Sequence, residues 1–292
     1  MPAKRKKGKQ LLSSTRQRLD GANSRLSSRH TRALIRRHHV LRKQLKAAEV
    51  ENDRTTQEKL RSELNDAGGL ERYQQASAEG QSTDRGGDSS KILVQWLKDG
   101  GITTHQLKNV SKPLRMLEVG ALQVQNACSH SKLFEIERTD LCSRDALIKE
   151  EDFLQRPVPS HEQLQSAGFD VVSLSLVLNF VENAIDRGRM LRKAGHLLRV
   201  CHEHGPPYSD YFPCLFLVLP AQCIQNSRYL DADLLRTMMD HLGFQCMREK
   251  QSAKLIYQLW RYERIEARAK QVFKKREVRS GSTRNNFAIV LE

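Results

Sequence analysis

The sequence predicts a three-layer α/β protein: a mostly parallel sheet with helices on both faces, preceded by a basic helical extension. Three observations carry that expectation. Apolar runs that read as strands alternate with helical patterns over residues 91–262, as in successive strand–helix–strand units. Two of these runs, 169–178 and 211–219, are almost continuously apolar, which suits strands covered on both faces. The first strand, 115–119, leads into Gly120, and the acid Asp140 follows near the end of the second strand, twenty residues later. A glycine there lets the backbone approach a ligand, and an acid at that distance can accept hydrogen bonds from both hydroxyls of a ribose.

Residues 1–28 are rich in Lys, Arg, Ser, Gln and Gly with few apolar anchors, so a disordered basic tail is expected. Its run Lys4-Arg5-Lys6-Lys7, with Lys9, reads as a nuclear or nucleolar address or as a solvated arm for RNA, and the two are compatible. Residues 29–78 form a basic helical extension. Leu34, Leu41 and Leu45 share a face with Ile35 beside them, ringed by Arg32, Arg36, Arg37, Arg42, Lys43 and Lys46, and the pattern runs on to Gly68-Gly69. A second short helix is expected over 70–78. Residues 79–90 are a linker by composition.

Ser90 caps a helix over 91–98, whose Ile92, Leu93, Trp96 and Leu97 can pack on a sheet. Strand 115–119, helix 124–129 and strand 133–139 come next. The buried strand 169–178 leads to a helix over 184–198, and the buried strand 211–219 to a helix over 231–242 that Gly243 stops. Residues 244–249 and 254–262 read as a closing antiparallel pair. Beyond the body at 91–262, a basic C-terminal tail over 263–292 is expected, helical to 284, with a short apolar coda at 286–291.

The net charge of +15 over 292 residues is unevenly placed. Residues 1–46 hold 15 Lys/Arg against one acid, and 261–284 hold nine against three, whereas 47–260 carry a small excess of acids. Basic ends of this kind suit phosphate-bearing partners, because neutralising phosphates releases condensed counterions. None of the six cysteines is in Cys-x-x-Cys spacing. They read as small buried hydrophobes in a reducing compartment rather than a disulfide or zinc framework. His202-Glu-His204 lies in a polar loop with no evident third ligand, so no metal is expected. The longest apolar runs are too short to span a bilayer, and no apolar segment follows the first basic cluster, so neither a membrane span nor a secretory signal is expected.

A dinucleotide site would show Gly-x-Gly-x-x-Gly after the first strand, but Gly120 stands alone there, and there is no Gly-Lys-Ser/Thr loop. A single glycine preceded by Glu118 suits a smaller nucleoside ligand. S-adenosylmethionine has a methionyl group where a dinucleotide has phosphates, and a carboxylate network near Glu118 can meet its ammonium. Asp140 would take the ribose; its plainer reading is a turn or N-cap aspartate. Gly120 can equally be an ordinary turn glycine. Asp152, in Glu151-Asp-Phe153, can meet the adenine amino group with Phe153 beside the ring, or be a solvated acid.

The chain resembles the fungal nucleolar 25S rRNA adenine-N1 methyltransferase family. The pieces that carry the resemblance are Thr31-Arg-Ala-Leu-Ile-Arg-Arg-His-His-Val-Leu41, Arg115-Met-Leu-Glu-Val-Gly120, Thr139-Asp-Leu141, Glu151-Asp-Phe-Leu154, the run from Phe169 to Asn179, Leu217-Val-Leu-Pro220 and Gln225-Asn-Ser-Arg-Tyr229. The resemblance implies a Rossmann-like class I methyltransferase fold and methyl transfer from S-adenosylmethionine to N1 of an adenine in large-subunit rRNA. It places Gly120 and Asp140 at the cofactor. Large-subunit rRNA or a pre-ribosome would be the partner and the nucleolus the location. The fold also resembles an animal S-adenosylmethionine sensor. A cofactor sensor or a ribosome-assembly factor without methyl transfer therefore stays open, as does methylation of a protein or of another RNA atom.

Many adenine-N methyltransferases carry Asn/Asp-Pro-Pro-Tyr where this chain has Ser173-Leu-Ser-Leu-Val-Leu-Asn-Phe180. The Pro-Pro is missing. Asn179 and Ser175 are the candidates for gripping the base edge, with Phe180 to stack on it; the plainer reading is an apolar strand followed by a helix cap. Pro220, Gln222, Gln225, Asn226 and Arg228 form a polar loop after a strand end, suited to substrate contact. His38 and His39 are expected on RNA or in solvent. The catalytic residue, if one exists, and the oligomeric state are left open.

Overall fold

Strands β1 Leu114–Val119, β2 Phe134–Asp140, β3 Lys149–Glu150, β4 Val171–Ser175, β5 Cys214–Pro220, β6 Phe244–Gln251 and β7 Leu255–Tyr262 form one sheet in the order β3-β2-β1-β4-β5-β7-β6. These come from a computed structural model that describes residues 28–69, 72, 87–104, 113–143, 145–199, 209–263 and 271–292. The expectations for residues 1–27, the helix and linker residues within 70–86 other than 72, and His202-Glu-His204 lie outside the described residues. β1 to β5 are parallel, while β7 runs antiparallel to both β5 and β6. The Rossmann-like class I sheet expected from the sequence is therefore borne out. From β1 the chain winds outward to β2 and β3, then returns to β4 on the other side of β1. That reversal opens a crevice at the carboxyl ends of β1 and β4, where such sheets bind ligands.

The strands separate two apolar layers by their alternation. Cys214, Phe216 and Val218 face a layer with Leu93, Trp96 and Leu97, and the Trp96 ring meets Phe216 edge-on at 6.1 Å. Leu215, Leu217 and Leu219 face the other layer, with Met190, Leu191 and Ala194 and with Leu235, Met238 and Met239. These residues come from α3 Ser90–Asp99, α6 Ala184–Leu197 and α8 Ala232–His241. The other α-helices among the described residues are α1 Ser28–Val50, α2 Arg54–Asp66, α4 Ala127–Ser131, α5 His161–Ala167 and α7 Gln222–Gln225. The short α5, α7 and β3 were not among the expected elements.

Several starts differ from the sequence reading, each for a capping reason. The extension is not one helix to Gly68. Asn52 adopts φ +55° and Asp53 caps a new helix by accepting from Thr56 N at 3.1 Å. α1 and α2 then pack as a hairpin through Leu41, Leu45, Ala48, Leu60 and Leu64. Ser90 does not cap α3; Asp88 Oδ1 accepts from its backbone N at 2.9 Å. α4 begins at Ala127, after the capping box of Asn126 and Ser129.

The helix expected over 263–284 is absent in described residues 271–284. Phe273, Phe287, Ile289 and Leu291 instead join the core beneath α6 and α8, and Arg187 of α6 donates to Ala288 O. Gly188 makes room: a Cβ on it would lie 1.9 Å from Val290 O. Burial of four large apolar side chains outweighs the modest helix preference of a Lys/Arg-rich segment.

Candidate cofactor and base site at the carboxyl ends of the parallel strands

β1 ends on Gly120, whose φ of +73° is the left-handed conformation that glycine adopts without a Cβ penalty. Its N–H donates to Thr139 O of the neighbouring β2 at 2.7 Å, and Ala121 N reaches the same oxygen at 3.1 Å. On the other side the turn is pressed against the segment after β4, since a Cβ on Gly120 would stand 2.7 Å from Val177 Cγ2. The glycine is thus a tight turn at the switch point, as its plainer reading has it.

Asp140 closes β2 and is buried. Its Oδ1 accepts from Cys142 N at 2.8 Å, and its carbonyl accepts from Glu151 N at 2.8 Å. The first bond is the turn aspartate of the plainer reading, and it also fixes the carboxylate one strand away from Gly120. Glu118 is engaged on both oxygens, by Asn126 Nδ2 at 2.8 Å and Arg138 Nε at 3.2 Å. Burial pushes its pKa up, against the pull of Arg138 and Asn126. Arg138 Nη2 also reaches Ser129 Oγ at 2.7 Å, so Glu118 ties the start of α4 to β1 and β2. Asp88 adds a second carboxylate, accepting from Ala127 N at 2.9 Å.

Asp152 caps its own turn, with Leu154 N donating to Oδ1 at 3.0 Å, and its Oδ2 lies 3.6 Å from Lys43 Nζ. Phe153 is buried in the core beneath the sheet.

Lys43 belongs to α1, and α1 makes further contacts at this end of the sheet. Arg42 pairs with Glu150 of β3. Arg36 Nη2 donates to Asn179 O at 2.9 Å. Ile35 is 2% exposed and packs with Cys142 and Phe180. The helical extension therefore spans the ends of β2, β3 and β4. The available signal was Ile35 beside Leu34, which widens the apolar stripe beyond what a single partner needs. His38 is also buried rather than on RNA or in solvent, and burial followed by Arg42 lowers its pKa to about 4.

The base-side candidates sit at the end of β4. Leu176 holds φ +59°, rare for a bulky residue, and its N–H donates to Val218 O at 3.0 Å. Backbone strain of this kind concentrates at binding sites. Ser175 Oγ is 2.7 Å from Ser89 Oγ. Asn179 is buried, with its main-chain oxygen held by Arg36 and its side-chain Oδ1 without a hydrogen-bond partner. A buried amide oxygen left unpaired costs free energy unless a ligand supplies a donor. Phe180 packs on α1 beside Ile35. Pro220 and the residues of α7 occupy the same end of the sheet, at the end of β5, and Arg228 Nη2 donates to Gly281 O at 2.9 Å. Among the described residues no group of three His, Cys, Asp or Glu could hold a metal, and no helix is long and apolar enough to cross a membrane.

The family model described as 25S rRNA (adenine(2142)-N(1))-methyltransferase, Bmt2, matches residues 58–289. The chain is 37% identical over 261 residues to a 25S rRNA adenine-N(1) methyltransferase of Schizosaccharomyces pombe, covering 88% of this chain and 89% of that one. It is 32% identical over 276 residues to the 25S rRNA (adenine(2142)-N(1))-methyltransferase of Saccharomyces cerevisiae, covering 93% and 75%. Among solved structures, it is similar to the N-methyltransferase NodS of Bradyrhizobium japonicum in complex with S-adenosyl-l-homocysteine, at 14% identity and a TM-score of 0.33, covering 54% of this chain and 83% of that one.

Proposed function

This chain belongs to the 25S rRNA (adenine-N1)-methyltransferase family, and we infer from that membership that it methylates N1 of an adenine in large-subunit rRNA, with S-adenosylmethionine as donor. The family match over most of the chain carries the reading, and the geometry at the switch point supports it. A positive-φ glycine and a buried, hydrogen-bonded carboxylate on adjacent strand ends fit a nucleoside cofactor. When bound, S-adenosylmethionine supplies an electrophilic methyl on a sulfonium. Gly120 makes the left-handed turn at the end of β1 beside the cofactor, and Asp140 accepts from the ribose hydroxyls. Asp152 accepts from the adenine amino group of the cofactor. Glu118 meets the ammonium through water while it anchors Asn126 and Arg138.

N1 of adenine carries an in-plane lone pair and no proton, so the chain needs alignment more than a strong base. N1 is occupied in a base pair, so the target must be unpaired or drawn out of its stack. Asn179 and Ser175 are the groups for the base edge, and the unpaired Asn179 Oδ1 suits the exocyclic N6 amino group. The basic ends would bind the rRNA or pre-ribosome through phosphates, and Lys4-Arg5-Lys6-Lys7 supports a nucleolar location.

The test is transfer of labelled methyl to large-subunit rRNA and to pre-ribosomal particles, followed by nucleoside analysis, with Asp140→Ala as control. N1-methyladenosine that vanishes in the control is expected. Cofactor binding with no methylated nucleoside on either substrate would instead make the protein a sensor or assembly factor.

A further inference from the structure

We propose that the segment after β5 and the C-terminal strap, residues 271–292, together form a docking platform for single-stranded RNA, with Tyr229 as the stacking residue and Lys274, Lys275 and Arg276 as phosphate contacts. The proposal rests on the rRNA-methylating reading and names where nucleotides beside the target adenine are held.

The two segments are one surface. Arg228 N donates to Asn285 O at 3.0 Å, Asn285 N to Asn226 O at 2.9 Å, and Val278 N to Arg228 O at 2.9 Å. Asn285 Nδ2 donates to Gln222 O at 2.6 Å. The Arg279 guanidinium is committed to the carbonyls of Ile224, Gln225 and Leu230, so it builds the platform rather than serving a ligand. Lys274, Lys275 and Arg276 are exposed. Over 271–286 the strap carries five Lys/Arg and one acid, Glu277. Tyr229 is partly exposed, with Lys275 Nζ 4.3 Å from its ring centroid and the Arg228 guanidinium at 6.0 Å.

An aromatic ring flanked by cations is how single strands are held without sequence readout: bases stack on the ring and phosphates meet the cations. The segment that carries Tyr229 leaves from the end of β5, which lies on the same side of the sheet as Gly120, Asp140 and Asn179. An acidic peptide would use the cations but has no need of the ring.

The experiment is anisotropy titration of full-length protein with a short labelled single-stranded oligoribonucleotide over a range of salt. Replacing Lys274, Lys275 and Arg276 together by Ala should flatten the log–log salt slope by about two, since each phosphate contact on a single strand contributes roughly 0.7. Tyr229→Ala should weaken binding roughly tenfold with little change of slope, and Tyr229→Phe should restore it. Tyr229→Leu fills the site without an aromatic face and covers the case in which Tyr229→Ala does not fold. Affinity for S-adenosylhomocysteine should stay native in all of them. Native RNA affinity and slope in the triple variant and in Tyr229→Leu would overturn the platform, and so would a polyglutamate peptide that competes as well as RNA. Loss of RNA binding in these variants, in a protein that methylates no adenine, would uphold the platform and sink the reaction instead.

Discussion

Lys43 of α1 holds its ammonium 3.6 Å from Asp152 Oδ2, which joins the basic extension to the end of the sheet that carries the cofactor candidates. With Arg42 on Glu150, Arg36 on Asn179 O and Ile35 against Cys142 and Phe180, this contact makes α1 a wall of the site. Occupancy of the site and docking of α1 are then linked, because a ligand that favours the docked arrangement stabilises it by the same free energy.

The charges of α1 and its apolar anchor Ile35 are separable by substitution. Lys43 and Asp152 are 43% and 15% exposed, and Arg42 and Glu150 36% and 50%. Partly exposed pairs of this kind contribute at most about 1 kcal/mol each. Lys43→Ala alone should therefore change stability little. Arg42→Glu with Lys43→Glu faces two acids with two more, and should loosen α1 and weaken cofactor binding. Hydrogen exchange over residues 28–50 is the readout. Unchanged exchange in the double variant would leave docking to Ile35 and Arg36.

His38 gives α1 a pH dependence of definite sign. In the docked helix burial, and then Arg42, hold its pKa near 4, against 6.5 for the ordinary group. A group whose folded pKa is depressed takes its proton first in the undocked state. Docking should be constant above pH 6.5 and weaken as pH falls from there toward 4. His38→Gln should flatten that dependence between about pH 6.5 and 5. Exchange rates over 28–50 across this range check it, and an unaltered profile in His38→Gln would count against the histidine.

What could be read from the sequence was local. β4 and β5 stand out because strands covered on both faces must be apolar throughout, and Val171, Val172, Cys214, Leu215 and Val218 are all fully shielded. Gly120 and Asp140 stand out because turn chemistry and spacing are written within one strand–helix–strand unit. The α1 contacts left only the widened apolar stripe of Leu34 and Ile35, which names no partner, since Arg36 meets Asn179 across 143 residues of chain. The strap was misread as a helix because its Lys/Arg composition suits one, while the burial of Phe273 and Phe287 beside α6 and α8 depends on tertiary packing. The bonding of Asp140 to Cys142 N shows that its turn role is real, so sequence alone could not divide the residue between structure and ligand.

Gly120→Ala should cost stability twice over. The left-handed conformation at φ +73° costs an alanine roughly 1–2 kcal/mol, and the new Cβ would meet Val177 Cγ2 at 2.7 Å. Adding Val177→Ala should relieve the contact but leave the backbone strain, so the two substitutions should be non-additive. Denaturant midpoints of the four proteins measure the coupling, and simple additivity would show that the turn relaxes away from Val177.

Asp140 offers the sharpest separation of fold from cofactor. Asn keeps an oxygen for Cys142 N and removes the charge, whereas Ala removes both. Hydrogen bonds to a charged acceptor contribute about 1.5–3 kcal/mol, so Asp140→Asn should weaken S-adenosylhomocysteine binding by about tenfold or more with a near-native melting temperature. Asp140→Ala should lose affinity at least as much and also stability, because the Cys142 N–H is left without its acceptor at a cost of about 1–3 kcal/mol. Calorimetric titration beside a thermal melt reads both quantities. Native affinity in Asp140→Asn would reduce the residue to a turn aspartate and move the ribose contact elsewhere at the strand ends.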